Sequence, residues 1–532
     1  MKTLFLSALS LALSLFTLLN AQNIVYADVN KNDVERMNFE ILGSSADNYL
    51  VYKEANGKHR ITVYDPNMKV LEEVPVTVLS KRNDILDVSF YTTGSHSYLL
   101  YQYQDGDIVY LKAASIEANG RILEQPVVLD TTMIAYKTEN KIYNIVTSND
   151  NSKLLVFKIN KKDRNLYRFT TRLFDENLQQ ISESRFSLPM EYKGDYLTGY
   201  SLANDGSYIF LKYNRQQNGN ISEASLIEKP AGSDDYSAYK LNIGNLFLDD
   251  IKVLVDDRDG RYLLASFYST QKRGDIDGIY VYGYDKNAGN IAFEKTSPFS
   301  DDLKKRAKGK NNTKNAFNNF FINNIIVHSD GSFTVNAEAL SNTGNEDRWG
   351  YWGSPFWGPG LGYWGGWGPG WGWGWGRMGG FGWPYSYYSP FFYRSYWWGG
   401  WGPGWGRGWY GGGSPRFNAG NIAVLSFNNN GDKAWDQVIV KSQSASNTDG
   451  SISYQVVFSG DEAHYLLNNS GKISDLENIV INGDGTIREG TPVPAKDKHI
   501  DFMPKYGKQV GPNTIIIPYT YKSNIAFAKV EL

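Results

Sequence analysis

An all-β chain built from one repeated four-stranded unit is what this sequence predicts, on three observations. A short apolar strand recurs about every 50 residues, a Gly/Asn/Asp turn precedes most copies, and a second Asp/Asn turn follows within most repeats. The strands read NYLVYK from Asn48, SYLLYQY from Ser97, KLLVFKI from Lys153, SYIFLKY from Ser207, RYLLASFY from Arg261, SFTVNAE from Ser332, EAHYLL from Glu462 and TIIIPYTY from Thr514. Runs this short, rich in β-branched and aromatic residues, are strands rather than helices.

The turns ahead of them include Asn149-Asp150-Asn151, Asn204-Asp205-Gly206, Asp259-Gly260, Ser329-Asp330-Gly331 and Gly511-Pro512-Asn513. Hairpins need positive φ or side-chain-to-backbone bonds, which Gly, Asn and Asp supply. Downstream, an aromatic ends a strand and a turn follows: Tyr64-Asp65-Pro66-Asn67, Phe174-Asp175-Glu176-Asn177, Tyr284-Asp285-Lys286-Asn287 and Phe427-Asn428-Asn429-Asn430, with Glu117-Ala118-Asn119-Gly120 in the equivalent place. Two hairpins per unit make four strands, and the spacing is that of β-propeller blades. One blade cannot bury both of its faces, so stacking around a ring must supply the core. The count is eight blades. Seven is the alternative, because the units at Glu462 and Thr514 are the least regular.

The ends predict how the ring closes. The last unit holds chain for about three strands, while residues 23–29 lie before the first complete unit and read as an unpaired strand. Pairing them beside 524–532 would complete the last blade and remove two sheet edges.

The turn-and-strand pattern in NDGSYIFLKY, RDGRYLLASFY and SDGSFTVNAE resembles the repeats of prolyl-oligopeptidase-type and related bacterial propellers. The resemblance covers three of the units and implies a fold, not an activity. Those peptidases add an α/β-hydrolase domain with a serine nucleophile, for which this chain shows neither sequence nor length. The start of the chain, its Asn/Lys/Tyr-rich composition and its lack of cysteine resemble exported proteins of Bacteroidota.

That start reads as a signal peptide over residues 1–21. Lys2 supplies the positive end, 4–19 form an apolar run, and Ala21 offers a small residue for cleavage. The remainder, 22–532, is the expected propeller. With no cysteine, neither a disulfide nor a cysteine-linked lipid anchor is available, so stability has to come from a core. The 54 basic and 56 acidic residues nearly balance, which argues against a nucleic-acid partner. The expected location is the periplasm, the outer membrane or the exterior.

Residues 345–418 interrupt the sixth unit between its second and third strands. Fourteen of the fifteen tryptophans fall here: Trp349, Trp352, Trp357, Trp364, Trp367, Trp371, Trp373, Trp375, Trp383, Trp397, Trp398, Trp401, Trp405 and Trp409. The charged side chains from 348 to 416 are Arg348, Arg377, Arg394, Arg407 and Arg416 alone. Dense glycine, with Pro355, Pro359, Pro369, Pro384, Pro390 and Pro403, argues against any long helix or strand. The expectation is a long low-complexity loop, not a transmembrane span. Tryptophan partitions to membrane interfaces and binding hot spots, and arginine stacks on it. Three uses stay open for these tryptophans with Arg377, Arg394 and Arg407: self-association, docking on an outer-membrane surface or a membrane-protein partner, and stacking on sugar rings.

A basic run, Lys304-Lys305-Arg306-Ala307-Lys308-Gly309-Lys310, is expected in the loop entering the same blade, either solvated or meeting anionic lipid or polysaccharide. His59, His96, His328, His464 and His499 are too scattered for a metal site. Asp257-Arg258-Asp259-Gly260 and Asn482-Gly483-Asp484-Gly485 look like fragments of calcium loops but sit where hairpin turns are needed. No serine-nucleophile elbow, phosphate loop or dinucleotide fingerprint occurs, so no cofactor is expected. The leading reading is a non-catalytic binding or scaffold protein. The alternative is a glycan-binding or glycan-cleaving propeller with carboxylates in its central funnel.

Overall fold

The computed structural model describes residues 23–342 and 416–532, apart from 35–36, 81–84, 124, 136–140, 164, 193, 216–219, 310–312, 447–449 and 470–474. The described chain is all-β, of the propeller type, and runs as successive antiparallel four-stranded units. The first unit pairs Asn38–Ser45, Asn48–Ala55, Lys58–Tyr64 and Val70–Pro75 in chain order. The same meander recurs from Ile85–Thr92, Asn144–Thr147, Asp195–Leu202, Phe247–Asp256, Phe320–Val327 and Tyr454–Ser459. The units starting at Asp195 and Phe247 are joined into one sheet by the single partner pair Ile221 and Leu248.

The last unit departs from the pattern. Ile500–Phe502 and Lys508–Gly511 both pair with Thr514–Tyr521, with a 3-10 turn, Pro504–Tyr506, between them. Asn524–Glu531 follows, and beside it lies Asn23–Tyr26, with Asn23 opposite Glu531 and Tyr26 opposite Ala528. The Ala27 N–H continues the ladder to the Phe527 carbonyl at 2.9 Å, so the predicted pairing of the chain ends is present and stops short of Asp28 and Val29.

The second strands are rich in apolar residues because both of their faces are buried. Successive side chains point to opposite sides of a strand. Leu50 and Tyr52 join a cluster with Leu99 and Tyr101 of the next unit, whereas Val51 joins one with Ile516 and Phe527 of the last. Leu100 packs with Val156, Phe157 with Tyr208, and Leu211 with Leu264, each pair in a cluster shared by consecutive units. The series continues with Leu263 and Phe333, Val424 and Tyr465, and Leu466 and Ile515.

Three copies of each turn signature share one geometry. In the downstream turn the first residue accepts two backbone N–H groups on Oδ1: Asp65 from Asn67 and Lys69, Asp175 from Asn177 and Gln179, Asn428 from Asn430 and Asp432. The residue three positions on then has positive φ, at Met68, Leu178 and Gly431. Met68 and Leu178 tolerate that conformation while burying their side chains. In the upstream turn Asp150, Asp205 and Asp330 each accept the N–H two residues on at 2.9 Å. Gly206, at φ +90°, has no room for more: a Cβ there would lie 2.7 Å from Leu173 Cδ2.

These upstream turns also bond to one another. Asn149 Nδ2 donates to the Val255 carbonyl at 2.8 Å and to Asp257 Oδ2 at 2.6 Å, two units away, and the Asn204 N–H donates to Asp257 Oδ1 at 2.7 Å. The calcium-like segments are both hairpin turns: 257–260 is one of these upstream turns, and 482–485 links the third and fourth strands of its unit, with Gly260 and Gly485 at positive φ.

The basic run corrects one expectation. Residues 301–308 form a helix, Asp301–Lys308, not a loop. Ser300 caps its N-terminus by accepting the Leu303 N–H, Asp301 and Asp302 favour the positive end of the dipole, and Gly309 ends it in the left-handed conformation. Leu303 and Ala307, four apart, bury one face, and Arg306 pairs with Asp302 and Asp436. The charges were the visible part of an amphipathic helix.

Candidate functional site

The tryptophans at 349–409 and Arg377, Arg394 and Arg407 lie outside the described residues. What is described is the base that carries them. Phe333–Asn342 pairs with Arg416–Phe427, Asn342 opposite Phe417, and Gln443–Ser446 adds a third strand along Arg416, Phe417, Asn418 and Ala419. Arg416, Phe417 and Asn418, expected inside the insertion, are therefore strand residues. Leu340, Phe417, Ala419 and Ile452 bury a small apolar cluster there.

Under this base runs a buried polar network. Glu338 and Lys441 form an ion pair at 2.6 Å, and Ser453 Oγ donates to the other Glu338 oxygen at 2.6 Å. Burial lowers the Lys441 pKa, and the Glu338 charge opposes that shift. Gln443 Oε1 accepts from Lys441 Nζ and from the Ser453 N–H, while its amide donates to the Asn468 carbonyl. Asn468 Nδ2 in turn donates to the carbonyls of Ser451 and Phe502. The base of the insertion is thus tied to the last unit through a chain of buried hydrogen bonds, an arrangement that fixes geometry.

Beside it opens a cavity of about 370 Å³, where the first unit, the last unit and the strand Gln443–Ser446 meet. Met37, Asn38, Phe39, Met503, Tyr506 and Ile525 form its buried part. Ser444, Ser446 and Asp501 are more exposed and mark the mouth. Asn38 donates to Glu54 Oε2 at 2.5 Å, but its own Oδ1 is enclosed and accepts no hydrogen bond. Sequence reasoning missed this site. Its residues come from 37–39, 444–446, 450–451, 501–506, 520 and 525, with no local motif to join them.

The other candidate residues have partners within the fold. Tyr52 bonds His59, Thr334 bonds His328, and Asn478 bonds His464, while His499 meets Asp497 on the surface. Burial lowers the pKa of His328 and of His464. On the first strands Asp87, Asp195, Asp250 and Asp256 each pair with Lys or Arg. Among the described residues no group of three or more His, Asp or Glu is placed to hold a metal ion, and no helix is long and apolar enough to cross a membrane.

No family model matches the chain, and no curated protein does. Among solved structures, prolyl oligopeptidase B from Galerina marginata is similar over 93% of this chain and 56% of its own, at 8% identity and TM-score 0.38. Oligopeptidase B from Leishmania major is similar over 92% and 54%, at 8% identity and TM-score 0.38. A eukaryotic initiation factor is similar over 93% and 98%, at 9% identity and TM-score 0.35. The chain spans about half the length of the two peptidases.

Proposed function

We propose that the chain is an exported, non-catalytic binding protein whose eight units close into one propeller ring and present the Trp/Gly-rich insertion to an outer-membrane surface or membrane-protein partner. Ring closure is supported by the pairing of Asn23–Tyr26 with the C-terminal strand, and by the cluster in which Phe39 and Val51 of the first unit meet Ile516 and Phe527 of the last. The eight inter-unit clusters favour eight blades over seven.

The observation that carries the binding reading is the base of the insertion. A segment merely tolerated outside the core needs no support, whereas this one leaves from a three-strand extension with its own apolar cluster and a buried ion pair beneath. Contact residues work best on a rigid mount, because less freedom is lost on binding.

The test replaces residues 344–414 with a short Gly/Ser linker. The flanking strands already pair, so the melting temperature should hold, and a shorter loop should favour folding by roughly 2 kcal/mol. The fraction of protein pelleting with outer membranes should fall. Unchanged pelleting would refute a contact role, and a collapse of stability would show the aromatics to be core.

A further inference from the structure

We infer that the end of the propeller from which the insertion leaves faces an anionic lipid bilayer, with the helix Asp301–Lys308 as its charged contact. The inference deepens the binding reading above and rests on it: it commits the partner to lipid and orients the chain on it. Strands alternate in direction within each unit. The first-to-second and third-to-fourth turns of every regular unit therefore lie at one end, and the second-to-third turns and the connections between units at the other. Bonds between neighbouring units keep the ends together. Asn149 and Asn204 meet Asp257 at the first end; at the second, the Arg273 N–H donates to Asn220 Oδ1 at 2.8 Å and Asn318 Nδ2 to Asp275 Oδ1 at 2.7 Å.

The two ends differ in charge although the chain as a whole is balanced. Over the seven regular units and the connections that follow them, the described turns of the first end hold fourteen Asp or Glu against four Lys or Arg, whereas the described segments of the second hold eight against eleven. Five of those eleven, Lys304, Lys305, Arg306, Lys308 and Lys314, lie in one connection, 299–319, with two carboxylates, Asp301 and Asp302; without it the second end is neutral. That connection adjoins the base of the insertion: Asn421, on the strand that returns from it, donates to the Ala307 carbonyl at 2.8 Å. Arg306 is held by Asp302 and Asp436, and Lys308 donates to the Lys314 carbonyl, while Lys304 and Lys305 form no ion pair among the described residues. The flanks add charge of the same sign by composition alone: Lys310 and, in 343–415, four Arg against Glu346 and Asp347. Positive charge by itself suits any polyanion. The tryptophans of the insertion select a bilayer, since indole partitions into its interface and a polybasic patch beside an interfacial anchor strengthens the binding of both.

Sedimentation of the full chain is measured with phosphatidylcholine vesicles and with vesicles containing one-third phosphatidylglycerol. The anionic vesicles should bind at least about thirtyfold more tightly, and the difference should close at high salt as the Debye length shrinks. Lys304→Gln with Lys305→Gln keeps good helix formers in place and should weaken anionic binding about thirtyfold, about 1 kcal/mol per lysine. Melting temperature and binding to neutral vesicles should not change. Lys69→Gln with Arg121→Gln removes the same charge from exposed positions at the other end and should leave binding as it is. The linker variant lacking 344–414 separates the two readings. It should lose affinity for both vesicle types yet keep its preference for the anionic ones; if it binds as the full chain does, the proposed function fails while the lysine result stands. Equal binding to the two vesicle types, a lysine pair that matters less than about threefold, or a control pair that matters as much overturns the inference and leaves the insertion's role intact. So does a preference for soluble dextran sulfate over anionic vesicles.

Discussion

Asp33 lies on the segment that leads from the N-terminal strand into the first unit, and it is 2% exposed. Its carboxylate meets Lys53 Nζ at 2.6 Å and also pairs with Arg60, while Lys53, 1% exposed, donates as well to Tyr64 Oη at 2.7 Å. Asp33→Ala would leave the buried ammonium with a phenol as its remaining neutral partner and would release Arg60. Breaking a buried pair from one side costs about 3–5 kcal/mol, mostly the burial of the uncompensated charge. Asp33→Ala with Lys53→Met removes both charges and should recover most of that loss, giving a coupling energy of at least about 2 kcal/mol in the double-mutant cycle. The assay is the urea midpoint of the four proteins at constant m.

A pH series adds an independent check. Burial already lowers the Lys53 pKa from 10.5, with Asp33 opposing the shift, so removing Asp33 must lower it further. The unfolded chain then holds a proton that the folded one has lost. Stability of Asp33→Ala should therefore rise with pH through the depressed folded pKa toward 10.5, and its deficit should shrink there. A loss below about 1 kcal/mol, or a deficit that does not narrow in alkali, would refute an uncompensated lysine as the cause.

Deleting residues 23–29 strips the strand from beside Asn524–Glu531 and removes the Tyr26 ring from Phe502 and Tyr519; a loss of about 3 kcal/mol or more is expected in denaturant unfolding. Asp175→Ala loses the acceptor of two turn N–H groups and should cost about 1–2 kcal/mol, whereas Asp175→Asn should match the parent, since Asn428 makes the same two bonds in its own turn. His328 and His464 have lowered pKa values in the folded chain, so their contribution is complete above 6.5 and is lost as pH falls from there through the folded values. The double variant His328→Gln with His464→Gln should flatten that part of the melting-temperature profile, and an unchanged slope would assign the acid loss to other groups.

The repeat, its turns and the pairing of the chain ends were legible in the sequence because strand alternation and turn chemistry are local. Asp175 with its two N–H partners needs only five residues of chain, and the missing strand of the last unit left Asn23–Tyr26 one evident place to go. Even the buried faces were implied, since continuous runs such as YLVY in Asn48–Ala55 suit a strand covered on both sides. The helix Asp301–Lys308 was hidden by its charges: its two buried residues, Leu303 and Ala307, are too few to show a period among five lysines and arginines over residues 304–310. Tertiary structure alone decided which side chains meet across units. Asn149 reaches Asp257, Lys53 finds Asp33, and Asn38 shares a cavity wall with Ser444 and Asp501 only because stacked sheets bring distant turns and strand ends together. Those partners are set by the packing of one blade on the next, which leaves no spacing in the chain from which to read them.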